Sequence, residues 1–243
     1  MQPLALADLR EELIRQEETI IFALIERAQF KLNAVVYDAA GIEIPGFDGS
    51  FLAYMLFETE RIHARVRRYT SPDEHAFCRD LPEPVLPDAA DTPQRIKPNR
   101  INRNAEILDG YRNRIVPQIC EPGDCGNYGS SAVCDVNCLQ ALSKRIHYGK
   151  FIAEAKFQAE TDAYTELIQA ADTAGIMTRL RDADVEAALC RRVALKAATY
   201  GQEPGQTNPR PKVDPDCIAA IYRDWIIPLT CRVEVDYLLA RLD

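Results

Sequence analysis

The chain is expected to be all-α, and three observations carry that expectation. Apolar residues recur at helical spacing in nearly every periodic segment. No alternation of apolar and polar residues is long enough to make a sheet. Glycine and proline gather in a few separate stretches that punctuate the periodic segments. The expected architecture is therefore a single-domain multi-helix bundle over residues 1–243, with one long central helix and no sheet. At 243 residues, with 47% hydrophobic and 27% charged, the chain has the size and balance of a globular protein with a substantial core.

The elements follow in order. Asp8 with Glu11 three residues on reads as a capping box, opening a helix whose stripe of Leu9, Leu13, Ile20, Leu24 and Ala28 runs to about residue 30. Gly41, Pro45, Gly46 and Gly49 break the chain before Ser50, which caps a second helix ending near Tyr69, stopped by Ser71-Pro72. Residues up to about Pro98 are proline-rich but still carry apolar side chains, so they read as an ordered excursion. A helix over 104–120, a polar loop over 121–131 and the longest helix, 132–159, come next. Helices over 162–171, 173–181 and 185–200 follow, then a Pro/Gly loop at 202–211. The final helix, 214–242, must bend or restart at Pro228.

A net charge of −8 argues against nucleic acid as a partner, because phosphate binding needs a basic field. No apolar run approaches the roughly 20 residues that a membrane span needs. The first residues lack the basic and apolar segments of a secretory signal, so the expectation is cytoplasmic, with a plastid or secreted location open if a leader has been removed. The 8 cysteines include no CxxC pair, and only three histidines are present. Reduced thiols are therefore expected over disulfides, and no metal or other cofactor. Nothing resembles a nucleophile–base pattern of a hydrolase.

Arg145, Gly149, Ile152 and Lys156 fall at i, i+4, i+7 and i+11, one stripe of a helix. A solvated cationic face is the plain reading. Mid-helix glycine costs roughly 1 kcal/mol against alanine and so needs a reason, and Ile152 is not a surface choice. The second reading is the floor of an anion pocket. Asp182 with Glu186, and Thr230 with Glu234, are pairs four apart that each present on one helix face.

Residues 138–158, with Arg145, Gly149, Ile152 and Lys156 among them, closely resemble the core helix of the all-helical eukaryotic chorismate mutases of yeast and plants. The resemblance is collinear and nearly chain-long. It takes in residues 9–15, the Glu43-Ile44-Pro45-Gly46-Phe47 loop, Ser71-Pro72-Asp73-Glu74, and both 227–230 and 238–242. It implies an isomerase that converts chorismate to prephenate by a one-substrate Claisen rearrangement in phenylalanine and tyrosine biosynthesis. Such an enzyme holds the compact conformer and stabilises charge growing on the ether oxygen.

Carried over by position, the resemblance makes Arg10 and Arg145 the carboxylate grips and Lys156 the ether-oxygen cation. It makes Glu186 the contact for the substrate hydroxyl and Thr230 a hydroxyl near the side-chain carboxylate. Asp182 stands where yeast-type members carry asparagine. Glu234 must be protonated to donate beside Lys156, which requires burial. The resemblance also implies tyrosine and tryptophan as effectors bound at a homodimer interface, with Arg67, Arg68, Asn127, Gly129 and Ser130 as the matching positions. Val133 and Asp214 depart from the yeast-type pattern there. Met55, Leu56 and Phe57 suit an interface. The rival reading is a catalytically silent or repurposed, effector-like binding protein of the same fold.

Overall fold

The computed structural model describes residues 4–87, 95–202 and 211–242; the 88–94 part of the excursion and most of the expected 202–211 loop lie outside them. The described residues form helices and no strand. In chain order these are α1 (Leu6–Arg27), α2 (Phe51–Arg65), α3 (Asn104–Gly110), α4 (Val116–Ile119), α5 (Tyr128–His147), α6 (Gly149–Ala159), α7 (Thr161–Gln169), α8 (Thr173–Leu180), α9 (Ala183–Tyr200), α10 (Pro215–Ile221) and α11 (Ile227–Leu239). No helix among them is long and apolar enough to cross a membrane.

Several boundaries move, each for a local reason. Asp8 does not cap α1, which opens after Ala5 with no side-chain cap; its carboxylate sits inside the first turn, where the helix dipole favours it. Ser50 does cap α2, accepting from the amide of Ala53 at 3.2 Å. That helix ends at Arg65 and not near Tyr69, because Arg67 turns left-handed (φ 64°) before a short 3₁₀ turn, Arg68–Thr70. The loop expected over 121–131 is shorter, since α5 begins at Tyr128 and places Gly129 and Ser130 in its first turn. The α9 helix begins at Ala183, two residues early, because the Asp182 carboxylate caps it through the amides of Asp184 and Val185 (both 3.1 Å).

The helices expected over 104–120 and 214–242 are each interrupted by a π-turn, at Tyr111–Ile115 and Tyr222–Ile226. Pro117 and Pro228 follow these turns by two residues. Proline has no amide to donate and its ring collides with the carbonyl four residues back, and the wider turn relieves both. The two interruptions meet. A Cβ on Gly110 would lie 2.3 Å from the Trp225 Nε1, so only glycine lets the chains approach this closely.

The helices bury two apolar clusters, and α5 with α6 runs through both. Leu139, Leu142 and Ile146 belong to the first, with Ile21 and Leu24 of α1; Phe151, Ile152 and Ala155 belong to the second, with Leu9, Val235 and Leu238. This rod is the long central helix expected, tightened by a single turn at Tyr148, whose carbonyl accepts from the Phe151 amide at 3.0 Å. All eight cysteines are free thiols, and Cys138 is buried while Cys134 is half-buried. Buried Glu60 pins the excursion after α2: it accepts from the amides of Phe77 (2.9 Å) and Cys78 (2.8 Å) and from Gln140 Nε2 (2.7 Å).

Candidate active site

The α5–α6 rod meets α11 at Gly149. A Cβ there would stand 3.0 Å from Thr230 Cγ2 and 3.1 Å from Glu234 Cγ. The glycine is thus a packing contact and not part of a pocket floor, which corrects one expectation. Its missing side chain lets Thr230 and Glu234 come down beside Arg145 and Lys156. Between these residues, α1, the α8–α9 junction and α9 lies a cavity of about 320 Å³, large enough for a small molecule.

Arg10, Arg145, Lys156, Asp182, Glu186, Thr230 and Glu234 all line this one cavity, together with Ile152. They arrive from five helices. Arg145 is buried; its Nη1 donates to Thr230 Oγ1 across 3.5 Å, and its Nε has no partner. Thr230 gives its own proton to the carbonyl of Ile226 at 2.8 Å. Lys156 donates to the carbonyl of Leu180 and stands 3.8 Å from Glu234 Oε2. That oxygen is buried with no hydrogen-bond partner. Arg10 is exposed at the cavity's edge.

Electrostatics in the cavity follow from this packing. Burial raises the Glu234 carboxyl to about 7, against the pull of Lys156 and Arg145 and with a further push from Glu186. Near neutral pH it therefore carries a proton for much of the time. Glu186 is held by Arg181, Nε to Oε1 at 2.8 Å and Nη2 to Oε2 at 2.5 Å. The Asp182 carboxylate is taken up as the α9 cap described above, so it faces the cavity with one oxygen already engaged.

Other cavity residues escaped the sequence reading. Leu6, Leu13, Val185, Leu189 and Ile227 give it an apolar wall, and Arg179, Arg181 and Cys231 add polar groups. Arg181 lies five residues before Glu186 and outside α9, so no helical spacing connects them. Buried Tyr222 also has a hydroxyl without a partner, with Arg145 the first charge facing it.

The second set of positions is not gathered in the same way. Arg67 donates to the Leu86 carbonyl at 2.8 Å, and Arg68 pairs with Glu74 and approaches His63 Nδ1 at 3.1 Å. Arg68 lines a second cavity, of about 540 Å³, with Arg15, Gln16, His63 and Lys144; Gln16 Oε1 there is buried without a donor. Asn127 precedes α5, and Gly129 and Ser130 lie in its first turn. Gln140, which accepts from Tyr69 at 3.4 Å, is ten residues along that helix from Ser130, about 15 Å away. Arg68 shares its cavity with Cys134, four residues after Ser130, while Arg67, Asn127, Gly129 and Ser130 are not among its lining residues. Val133 is 47% exposed and Asp214 caps α10. Leu56 is 2% exposed and packs in the core, which removes it from any interface; the exposed apolar residues at the end of α2 are Ile62 and Val66.

An all-helical fold with a small cavity lined by several cations is an architecture suited to a compact anion, and comparison with known proteins gives the class. Residues 127–235 match the family model for chorismate mutase type II. The chain is 49% identical to a chorismate mutase of Schizosaccharomyces pombe, over 99% of this chain and 98% of that one. It is 50% identical to the chloroplastic chorismate mutase 1 of Petunia hybrida, over 97% of this chain and 75% of that one. Among solved structures, the Aro7p chorismate mutase of Candida albicans in complex with L-Trp superposes with a TM-score of 0.94 at 44% identity, covering 98% and 92% of the two chains. AtCM1 with tyrosine bound in its allosteric site gives 0.92 at 48% identity, covering 99% and 97%. The chain belongs to the chorismate mutase family, and it is an isomerase.

Proposed function

We propose that the 320 Å³ cavity is where chorismate rearranges to prephenate, and that its seven expected residues divide the work by charge and position. Arg10 and Arg145 take the two carboxylates, since a guanidinium grips a carboxylate with two parallel hydrogen bonds. Lys156 and the protonated Glu234 donate to the ether oxygen as its bond breaks. Donors aimed where charge develops need no reorganisation during the reaction. Glu186 takes the ring hydroxyl, with Thr230 beside a carboxylate and Asp182 a neighbour through its free oxygen. The apolar wall of Leu13, Val185 and Ile227 holds the compact conformer.

One observation carries this reading. Arg145 Nε and Glu234 Oε2 are buried polar atoms without partners, and both residues line the same cavity. A buried group left unsatisfied costs free energy unless a ligand completes it. The test is the loss of chorismate absorbance on adding the purified protein, with Arg145→Ala as control. Wild-type consumption that the variant lacks supports the reading; no consumption by either favours a silent binding protein.

Regulation by aromatic amino acids belongs to the same proposal. The similar structures bind L-Trp and tyrosine, the latter in an allosteric site. Here Arg68 lines a cavity with a vacant acceptor, Gln16 Oε1, and Cys134, four residues after Ser130 on α5, lines it as well. The reading includes a homodimer with the expected positions at its interface. Titration calorimetry with tyrosine and tryptophan tests this: heat with either supports it, and heat with neither overturns it. Eight free thiols favour a reducing compartment such as the cytoplasm.

A further inference from the structure

The joint between α8 and α9, taken from the last residue of α8 to the cap of α9, puts three successive residues at the cavity. The Leu180 carbonyl accepts from Lys156, Arg181 grips Glu186, and Asp182 caps α9. The middle contact has no part in the division of roles above. Arg181 takes both oxygens of Glu186 in the bidentate geometry that fixes direction as well as distance. Both residues line the cavity, and the Glu186 side chain is only 22% exposed. An exposed arginine–glutamate pair ordinarily adds little stability. This one instead sets where a cavity carboxylate points.

We propose that Arg181 is a positioning residue: its guanidinium holds the Glu186 carboxylate in place at the cavity wall, ready to accept a hydrogen bond from the substrate's hydroxyl. The role rests on the chorismate reading of the site. It has a second consequence, because Glu186 faces Glu234. The charged and titratable groups around Glu234 are Lys156 from α6, Arg145 from α5, Glu186 from α9, Tyr164 from α7, Cys231 on its own helix, and Asp182 and Arg181 at the α8–α9 joint. Arg181 offsets the negative charge of Glu186. Removing it leaves that charge bare and makes Glu234 harder to ionise.

The experiment compares Arg181→Met, Arg181→Lys and the Glu186→Gln single and double variants, reading KM, kcat and the pH profile for chorismate. Arg181 is 53% exposed on its side chain, so the variants keep the fold. Arg181→Met is expected to raise KM about tenfold, the scale of one charged hydrogen bond, with a smaller change in kcat. Its alkaline limb moves to higher pH. Arg181→Lys returns the limb, because it restores the charge, and recovers KM only in part. In the Glu186→Gln background, Arg181→Met changes KM by less than about twofold, since a residue acting through a partner is silent once the partner is neutralised. Wild-type KM and limb in Arg181→Met, or an equal KM rise with Glu186→Gln present, overturns the role. Arg145→Ala is run in parallel. Activity retained there sinks the site reading itself, whereas activity lost there with Arg181→Met unaffected sinks only the role of Arg181.

Discussion

Arg27, packed against α5, and Arg145, on α5 itself, are both buried arginines, and their surroundings are opposite. Arg27, at the end of α1, spends every donor inside the protein. Its Nε meets Asp135 at 2.6 Å, and its Nη atoms reach the carbonyls of Phe30 (3.3 Å), Lys31 (3.1 Å) and Leu32 (3.0 Å). Asp135 in turn accepts from Tyr37 at 3.0 Å and Tyr111 at 2.7 Å. Arg145 has one long contact to Thr230 and a free Nε, and Glu234 across the cavity has a free oxygen. A completed buried network fixes a fold, and an incomplete one facing a cavity is left for a ligand.

The largest effect should come from the completed side. Arg27→Met leaves Asp135 buried and uncompensated, and should cost about 3–5 kcal/mol of stability, read from the urea midpoint. Arg145→Ala is the matched test. It should lower kcat/KM for chorismate by about 10²–10³-fold, the scale of losing an oriented donor, while leaving the urea midpoint nearly in place. If Arg145→Ala destabilised as much as Arg27→Met, the contrast between the two regions would be wrong.

Gly149→Ala probes the contact that brings α11 to the rod. The added methyl meets Thr230 and Glu234 at 3.0–3.1 Å, so α11 must give way by a few tenths of an ångström. Activity should fall about tenfold through misplaced side chains, with stability changed less, because alanine's better helix propensity offsets part of the overpacking. A fully active alanine variant would remove the glycine from any role in shaping the site.

The mildest change sharpens the protonation of Glu234. Its carboxyl is raised to about 7, so the donor form is present below that pH and is lost as pH rises through it. Wild-type activity should therefore fall across that range. Glu234→Gln keeps a donor at all pH values and should flatten the alkaline limb. A limb identical to the wild type in the glutamine variant would assign the titration to another group.

Much of this was legible in the sequence because it depends on short spacings. The stripe of Leu9, Ile20 and Leu24, the Ser50 cap and the long rod through Arg145 and Lys156 follow from residues a turn or two apart. The seven cavity residues were found through collinear resemblance. What was missed involves neighbours in space. Asp8 lost its capping role because the helix starts earlier, and Leu56 turned inward because α2 packs on α5. Gly149 reads as a pocket floor until α11 is seen against it.

By itself, the sequence determined an all-α chain, the helix registers, the residues able to hold an anion and the membership of a family. Those properties reside in local periodicity, in side-chain chemistry and in order along the chain. Only the tertiary structure decided which polar groups are satisfied. Arg27 and Arg145 look alike in sequence; packing gave one a carboxylate, two tyrosines nearby and three carbonyls, and left the other facing an open cavity beside Glu234. Burial then raised that glutamate to about 7, and the α8–α9 joint placed Arg181 on Glu186. Desolvation and hydrogen-bond completion depend on atoms brought together from five helices, and no spacing along the chain encodes that meeting.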